Sequence, residues 1–190
     1  MNKIVCVSGM CGAGKSIISD FFVKNSFQFI RFGQITLDEV KKRNLEVNES
    51  NERLIREEFR TKYGMAAYAT LNLPKFDELI KNGNVVADGL YSWEEYKVLK
   101  EHFGEAMVLI AVWAPPELRY ERISTRISNL DDKDLRHRSF TKEEAKARDY
   151  AELENLNKGG PIAMADFTIV NDKDIGFLNK QIKEVYNRIK

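Results

Sequence analysis

The sequence predicts an α/β fold in three layers, a parallel sheet with helices on both faces. Three observations carry this. Short apolar runs alternate with longer stretches of helical spacing along the whole chain. A glycine-rich turn joins the first apolar run to the first helical stretch. The length of 190 residues, 43% hydrophobic and 31% charged, suits a single folded domain with its own core, residues 1–190, without repeats or Pro/Ser-rich linkers.

The elements follow in order. Ile4-Val5-Cys6-Val7 is an apolar run of the kind a buried strand shows. From about Lys15 to Asn25 the apolar positions Ile17, Ile18, Phe21 and Phe22 recur at helical spacing. Residues 27–31 read as a second strand. Residues 37–81 read as helix after helix, broken near Asn48, Gly64 and Pro74. Val85-Val86-Ala87 is a third strand, stopped by Asp88-Gly89, and residues 92–103 look helical. Residues 107–112 form a fourth strand. Pro115-Pro116-Glu117 opens a helix, because proline is tolerated in a first turn. Residues 129–139 are polar and turn-rich. Thr141-Lys142-Glu143-Glu144 is a capping-box start for a helix toward Leu156. Phe167-Thr168-Ile169-Val170 is a fifth strand, and a last helix runs to the C-terminus. Two segments interrupt the alternation, a helical excursion over residues 33–80 and a polar stretch over residues 127–141. Ligands of open parallel sheets sit at the carboxyl ends of the strands. Both segments leave from those ends and are placed to fold over a ligand.

Composition excludes several functions. Lys+Arg is 30 and Asp+Glu is 29, a net charge of +1, which gives no electrostatic case for a nucleic-acid or membrane-surface binder. The longest apolar run, residues 106–114, falls far short of the ~20 residues that cross a bilayer. Two cysteines, Cys6 and Cys11, cannot build a disulfide framework. The N-terminus has no signal-peptide pattern. The expected setting is the cytoplasm, and the sequon Asn48-Glu49-Ser50 is then chance.

The strongest chemical signal is Gly9-Met10-Cys11-Gly12-Ala13-Gly14-Lys15-Ser16, which fits G-x-x-x-x-G-K-[ST] between a strand and a helix. Its glycines let backbone N–H groups wrap an anion, and the helix N-terminus adds its dipole. Lys15 is placed for the β/γ-phosphates of ATP and the Ser16 hydroxyl for Mg²⁺. Asp88 follows a buried strand at the end facing this loop, where a carboxylate holds Mg²⁺, directly or through water, or orients an acceptor. Its plainer role is a cap for the next turn. Arg119, Arg122 and Arg126 share one helix face by their spacing, and Arg136, Arg138 and Arg148 follow. The segment carries a surplus of positive charge, which phosphoryl transfer requires around the migrating group. Cys11 reads as a tolerated small residue, with redox regulation as the alternative.

These residues resemble the adenylate-kinase-like branch of P-loop kinases. Glu121-Arg122-Ile123-Ser124-Thr125-Arg126 looks like the string that leads into the adenylate kinase lid. There the first arginine packs on the adenine and the second meets phosphate. Arg148-Asp149 resembles the element on the returning lid helix. Residues 165–171, ending in Asn171, resemble the last strand and adenine-side loop of dephospho-CoA kinases. Overall the chain is most similar to a small, chiefly archaeal family of adenylate-kinase-like or dephospho-CoA-kinase-like P-loop proteins. Besides the phosphate loop, the match includes Gly33 and residues 39–46, Asp88-Gly89-Leu90-Tyr91-Ser92 and Ala114-Pro115-Pro116. The resemblance implies a five-stranded sheet in order 2-3-1-4-5, an acceptor-binding excursion after strand two and a short lid after strand four.

Two positions depart from the family. Leu37 and Tyr91 stand where it usually carries arginines suited to an acceptor phosphate. Arg56 and Arg60, one turn apart, are the candidate substitutes. Their alternative is ion pairing with Glu52 or Glu57 on a solvated face. Tyr91, Trp93 and Tyr96 line an acceptor pocket or belong to the core, as do Tyr63 and Tyr68. His102 and His137 have no metal-ligand spacing. The implied function is an ATP- and Mg²⁺-dependent phosphotransferase of a small nucleotide-like acceptor. A nucleoside monophosphate is the first choice, dephospho-CoA the second. In it Lys15, Asp88, Arg122, Arg126 and Arg148 act catalytically, the loop residues with Arg122 and Asn171 hold ATP, and Gly33, Arg56, Arg60 and Tyr91 face the acceptor. The contrasting expectation is a slow ATPase module that signals to a partner.

Overall fold

The computed structural model describes residues 1–126 and 140–190. Strands β1 (Ile4–Ser8), β2 (Gln28–Arg31), β3 (Val85–Asp88), β4 (Met107–Trp113) and β5 (Phe167–Val170) form one parallel sheet in the order β2-β3-β1-β4-β5. This is the order the resemblance implies. The helices are α1 (Lys15–Lys24), α2 (Gln34–Lys42), α3 (Glu49–Tyr63), α4 (Ala67–Asn82), α5 (Trp93–Phe103), α6 (Pro116–Ser124), α7 (Lys142–Leu156), α8 (Gly159–Ala163) and α9 (Ile175–Ile189).

Strand side chains alternate between faces, so β1 feeds two cores. Ile4 and Cys6 join Val85, Ala87 and Leu109 against Tyr68 and Phe76 of α4 and Leu99 of α5. Val5 and Val7 join Val86, Ile110 and Val112 against Ile18 and Phe22 of α1 and Leu178 and Ile182 of α9. A central strand buried on both faces explains the unbroken apolar run that announces it.

Helix starts follow their caps. Asn48 accepts from the Asn51 N–H, Asp174 from the Phe177 N–H, and Ser92 and Thr141 make full capping boxes with Glu95 and Glu144. Two expectations need correction, and one element was not anticipated. Pro74 does not break the excursion, because α4 runs through it. Buried Tyr68, Asn72 and Phe76 fix the helix on either side, and this packing outweighs the ~3 kcal/mol cost of an interior proline. Arg126 is not on a helix face, because α6 stops at Ser124. The Ser124 and Thr125 hydroxyls both turn back onto the Glu121 carbonyl, a side-chain competition that ends helices. The short helix α8 arises from Gly159-Gly160-Pro161, which carries no helical signal. Residues 127–139, with His137, Arg136, Arg138 and most of the expected lid, lie outside the described residues. Among the described residues no helix is long and apolar enough to cross a membrane.

Candidate nucleotide and phosphoryl-transfer site

The loop between β1 and α1 is closed on three sides. Gly12 (φ +77°) approaches α6 so closely that a Cβ would stand 2.7 Å from the Arg119 carbonyl oxygen. Gly14 (φ +106°) leaves no room for a Cβ beside the Asn171 side-chain amide. These glycines are therefore needed for conformation and for space at once. Lys15 Nζ folds over the loop and donates to the carbonyls of Gly9 (2.9 Å) and Met10 (3.2 Å). Burial, then the charge of Lys158, push the Lys15 ammonium below its ordinary pKa, with Cys11, Asp88 and Glu152 opposing.

Asn171, at the end of β5, clamps the loop from the far edge of the sheet. Its Nδ2 donates to the Ala13 carbonyl (2.8 Å). Arg122 donates to the Asn171 carbonyl (2.9 Å) and to its Oδ1 (3.4 Å). Beside this clamp lies a cavity of about 380 Å³ lined by Gly14, Ile17, Arg122, Arg126, Asn171 and Ile175, among others. Apolar Ile17 and Ile175 with a planar guanidinium make walls suited to a flat heterocycle. The structure thus brings Arg122, Arg126 and Asn171 to one side of the loop.

On the other side, the parallel register pairs Val7 with Asp88, which sets the Asp88 carboxylate at the strand ends facing the loop. Ser16 lies in the first turn of α1. A hydroxyl and a carboxylate are hard oxygen donors of the kind Mg²⁺ takes, so these residues fit the ion. Among the described residues no cluster of three or more His, Cys, Asp or Glu offers a separate metal site.

The arginine stripe divides. Arg119 is buried and wholly engaged. It donates to Ala114 O (3.1 Å), Cys11 O (3.0 Å) and both oxygens of Asp149 (3.0 and 2.6 Å), with the Tyr120 hydroxyl also on Asp149 (3.0 Å). It ties α6, α7 and the loop together. Arg148, one residue from Asp149 on α7, donates to Glu152 (3.1 Å) and lies over Phe140. Cys11 is half-buried and packs against the Tyr120, Ile123 and Ala145 cluster.

The candidate acceptor residues are more scattered. Gly33 opens α2 with no atom within 4 Å of where a Cβ would stand. Arg56 meets Glu52 at 3.5 Å, the ion pair anticipated as its alternative. Arg60 lies over the Tyr68 ring, and its Nε is buried with no hydrogen-bond partner. Leu37 is buried in the core. Tyr91 bends back so that its hydroxyl lies against Gly89, its N–H donates to Glu95 (2.8 Å), and the Lys158 ammonium lies 4.9 Å from its ring centroid. Trp93 and Tyr96 stack on each other at 5.1 Å, and Tyr63 is exposed.

Sequence reasoning missed Lys158, Glu152 and the Arg119–Asp149 pair. A lone lysine before Gly-Gly-Pro reads as a surface loop, and partners 30 residues apart leave no local signal. Burial pushes the Glu152 carboxyl up, but Lys158, Arg148 and Lys15 together outweigh it and hold it at about 2.

The sheet order and the glycine loop define a P-loop protein of kinase-like fold. A family model described as an AAA domain matches residues 5–158. The chain belongs to the UPF0200 family: a UPF0200 protein of Thermococcus onnurineus is 34% identical over 188 residues, covering 98% of this chain and 97% of that one. Among solved structures, a shikimate kinase from Bacteroides thetaiotaomicron matches with a TM-score of 0.59 at 16% identity, over 98% of both chains. A dephospho-CoA kinase from Campylobacter jejuni matches with 0.55 at 17%, over 100% of this chain and 98% of that one. At such identities the likeness is one of fold.

Proposed function

We propose that this protein is an ATP-dependent phosphotransferase of a small nucleotide-like acceptor, with a nucleoside monophosphate as first choice and dephospho-CoA as second. The observation that carries the reading is one arrangement at the carboxyl end of the sheet. The glycine loop and Lys15 close β1, Asp88 closes its neighbour β3, and the Arg122–Asn171 clamp walls the cavity beside them.

In this reading the loop amides and Lys15 hold the β- and γ-phosphates, and Lys15 leaves the Gly9 and Met10 carbonyls for phosphate oxygens. Arg122 packs on the base, and Asn171 keeps the loop's shape. Ser16 and Asp88 would hold Mg²⁺, which when bound neutralises charge on the phosphates. Arg126, just past α6, and Arg148 of α7 bring charge to the migrating group, with residues 127–141 as the lid. The excursion over residues 33–80 receives the acceptor between Gly33, Arg56, Arg60 and Tyr91. Arg60 supports this most, because a buried guanidinium N–H without a partner is an unused donor. Catalysis is then positioning and charge stabilisation, with no covalent enzyme intermediate.

The test is incubation with Mg·ATP and a panel of ribo- and deoxynucleoside monophosphates and dephospho-CoA, read by mass spectrometry beside Lys15→Ala. One acceptor gaining phosphate, and losing it in the variant, is the expected result. ATP binding with no acceptor phosphorylated and ATP turnover raised only by a protein partner would replace this reading with the ATPase module.

A further inference from the structure

We infer that Lys158 is a ligand of the terminal phosphate of the bound nucleoside triphosphate, a second lysine facing Lys15. This rests on the nucleotide reading above.

Lys158 sits in the short link between α7 and α8. Asn157 takes a left-handed conformation (φ 49°), and the Lys158 N–H then donates to the Glu152 carbonyl at 3.2 Å. This reversal sends the side chain inward, and Lys158 ends 1% exposed. Lysine is almost never so buried without a paired role. Its ammonium meets Glu152 Oε2 at 2.5 Å, while Arg148 Nε meets Oε1 of the same carboxylate at 3.1 Å. The Glu152 side chain is itself 8% exposed.

The position of this cluster is what sets it apart from a structural ion pair. Lys158 lies over Tyr91, whose hydroxyl rests against Gly89, the residue after Asp88 at the strand ends. It therefore reaches the carboxyl end of the sheet from the α5 and α8 side, while Lys15 reaches it from the α1 side. Three cations, Lys158, Arg148 and Lys15, act on the one carboxylate of Glu152, and Lys158 repels Lys15. An apolar side chain at position 158 would avoid that repulsion, and buried ion pairs are seldom stabilising in themselves. A terminal phosphate, doubly charged and rich in acceptors, converts the repulsion between two ammonium groups into a bridge. Glu152 orients both Lys158 and Arg148 toward it.

The experiment is isothermal titration calorimetry with Mg·ADP and the Mg complex of the β,γ-imido analogue of ATP. The proteins are wild type, Lys158→Met, Lys158→Arg and the double variant Lys158→Met/Glu152→Gln. The double variant removes both charges together and carries the test where the single one fails to fold, with circular dichroism as the check. Wild type should prefer the triphosphate analogue over ADP. Lys158→Met and the double variant should lose roughly tenfold or more of that preference with ADP affinity little changed, and Lys158→Arg should restore part of it. The same preference in every variant would overturn the role of Lys158 and leave the nucleotide reading standing. Equal affinity of wild type for both ligands would also overturn it. Wild type binding neither nucleotide would overturn the nucleotide reading itself.

Discussion

The Arg119–Asp149 pair offers the sharpest test of how this site is held. Both side chains are nearly sealed from solvent, at 5% and 6% exposure. Asp149→Ala would leave a buried guanidinium with two backbone carbonyls and no counter-charge. Breaking a buried ion pair by removing one partner costs about 3–5 kcal/mol. For a domain of this size each kcal/mol moves the melting temperature by ~2–4 °C, so a fall of roughly 6–20 °C is expected. The loop should suffer too, because Arg119 also holds the Cys11 carbonyl. The double variant Arg119→Met/Asp149→Leu replaces both charges by apolar bulk and should recover much of the loss. Differential scanning calorimetry of the three proteins is the assay. A melting temperature of Asp149→Ala within ~2 °C of wild type, or a double variant less stable than Asp149→Ala, would refute the reasoning.

Further outcomes follow from other contacts. Lys15→Ala should abolish acceptor-dependent ADP release while keeping the wild-type circular dichroism spectrum; near-normal turnover would remove Lys15 from the mechanism. Gly14→Ala should destabilise the domain by about 1–3 kcal/mol and weaken nucleotide binding, since a Cβ there enters the Asn171 amide at a φ reserved for glycine; chemical denaturation measures the first effect and calorimetric titration the second. Burial pushes the Glu95 carboxyl up to about 7, against the Tyr91 and Ser92 N–H groups and the charges of Arg60 and Lys158. The folded state then holds a proton that the unfolded state releases near pH 4.3, so this contribution to stability is full below that pH and is lost as pH rises toward 7. Glu95→Gln should flatten the urea-midpoint slope across that window, and an unchanged slope would rule out the assignment. Alkylation of half-buried Cys11 should slow under saturating ATP while fully buried Cys6 stays unmodified; equal Cys11 rates with and without ATP would count against the loop geometry.

The sheet was legible because β1, β3 and β4 are buried on both faces and carry uninterrupted apolar runs. The loop was legible because its glycines, lysine and serine are consecutive. The capping box at Thr141 was local as well. Long-range partnerships left no such trace. Arg119 reads as one of three equivalent arginines until Asp149 is seen beside it, and Lys158 reads as a solvated turn until Asn157 reverses the chain. The proline at 74 misled for the opposite reason. Its local signal is strong, and tertiary packing overrode it.

The bond from Asn171 to Ala13 spans 158 residues. The phosphate loop is therefore made well before the residue that gives it its final support. A nascent or truncated chain ending before β5 would present the signature of a nucleotide site without the amide that fixes its curvature. The loop's final shape thus waits on synthesis through β5, and in the proposed reading a nucleotide would stabilise chains folded through β5 over shorter ones by mass action alone.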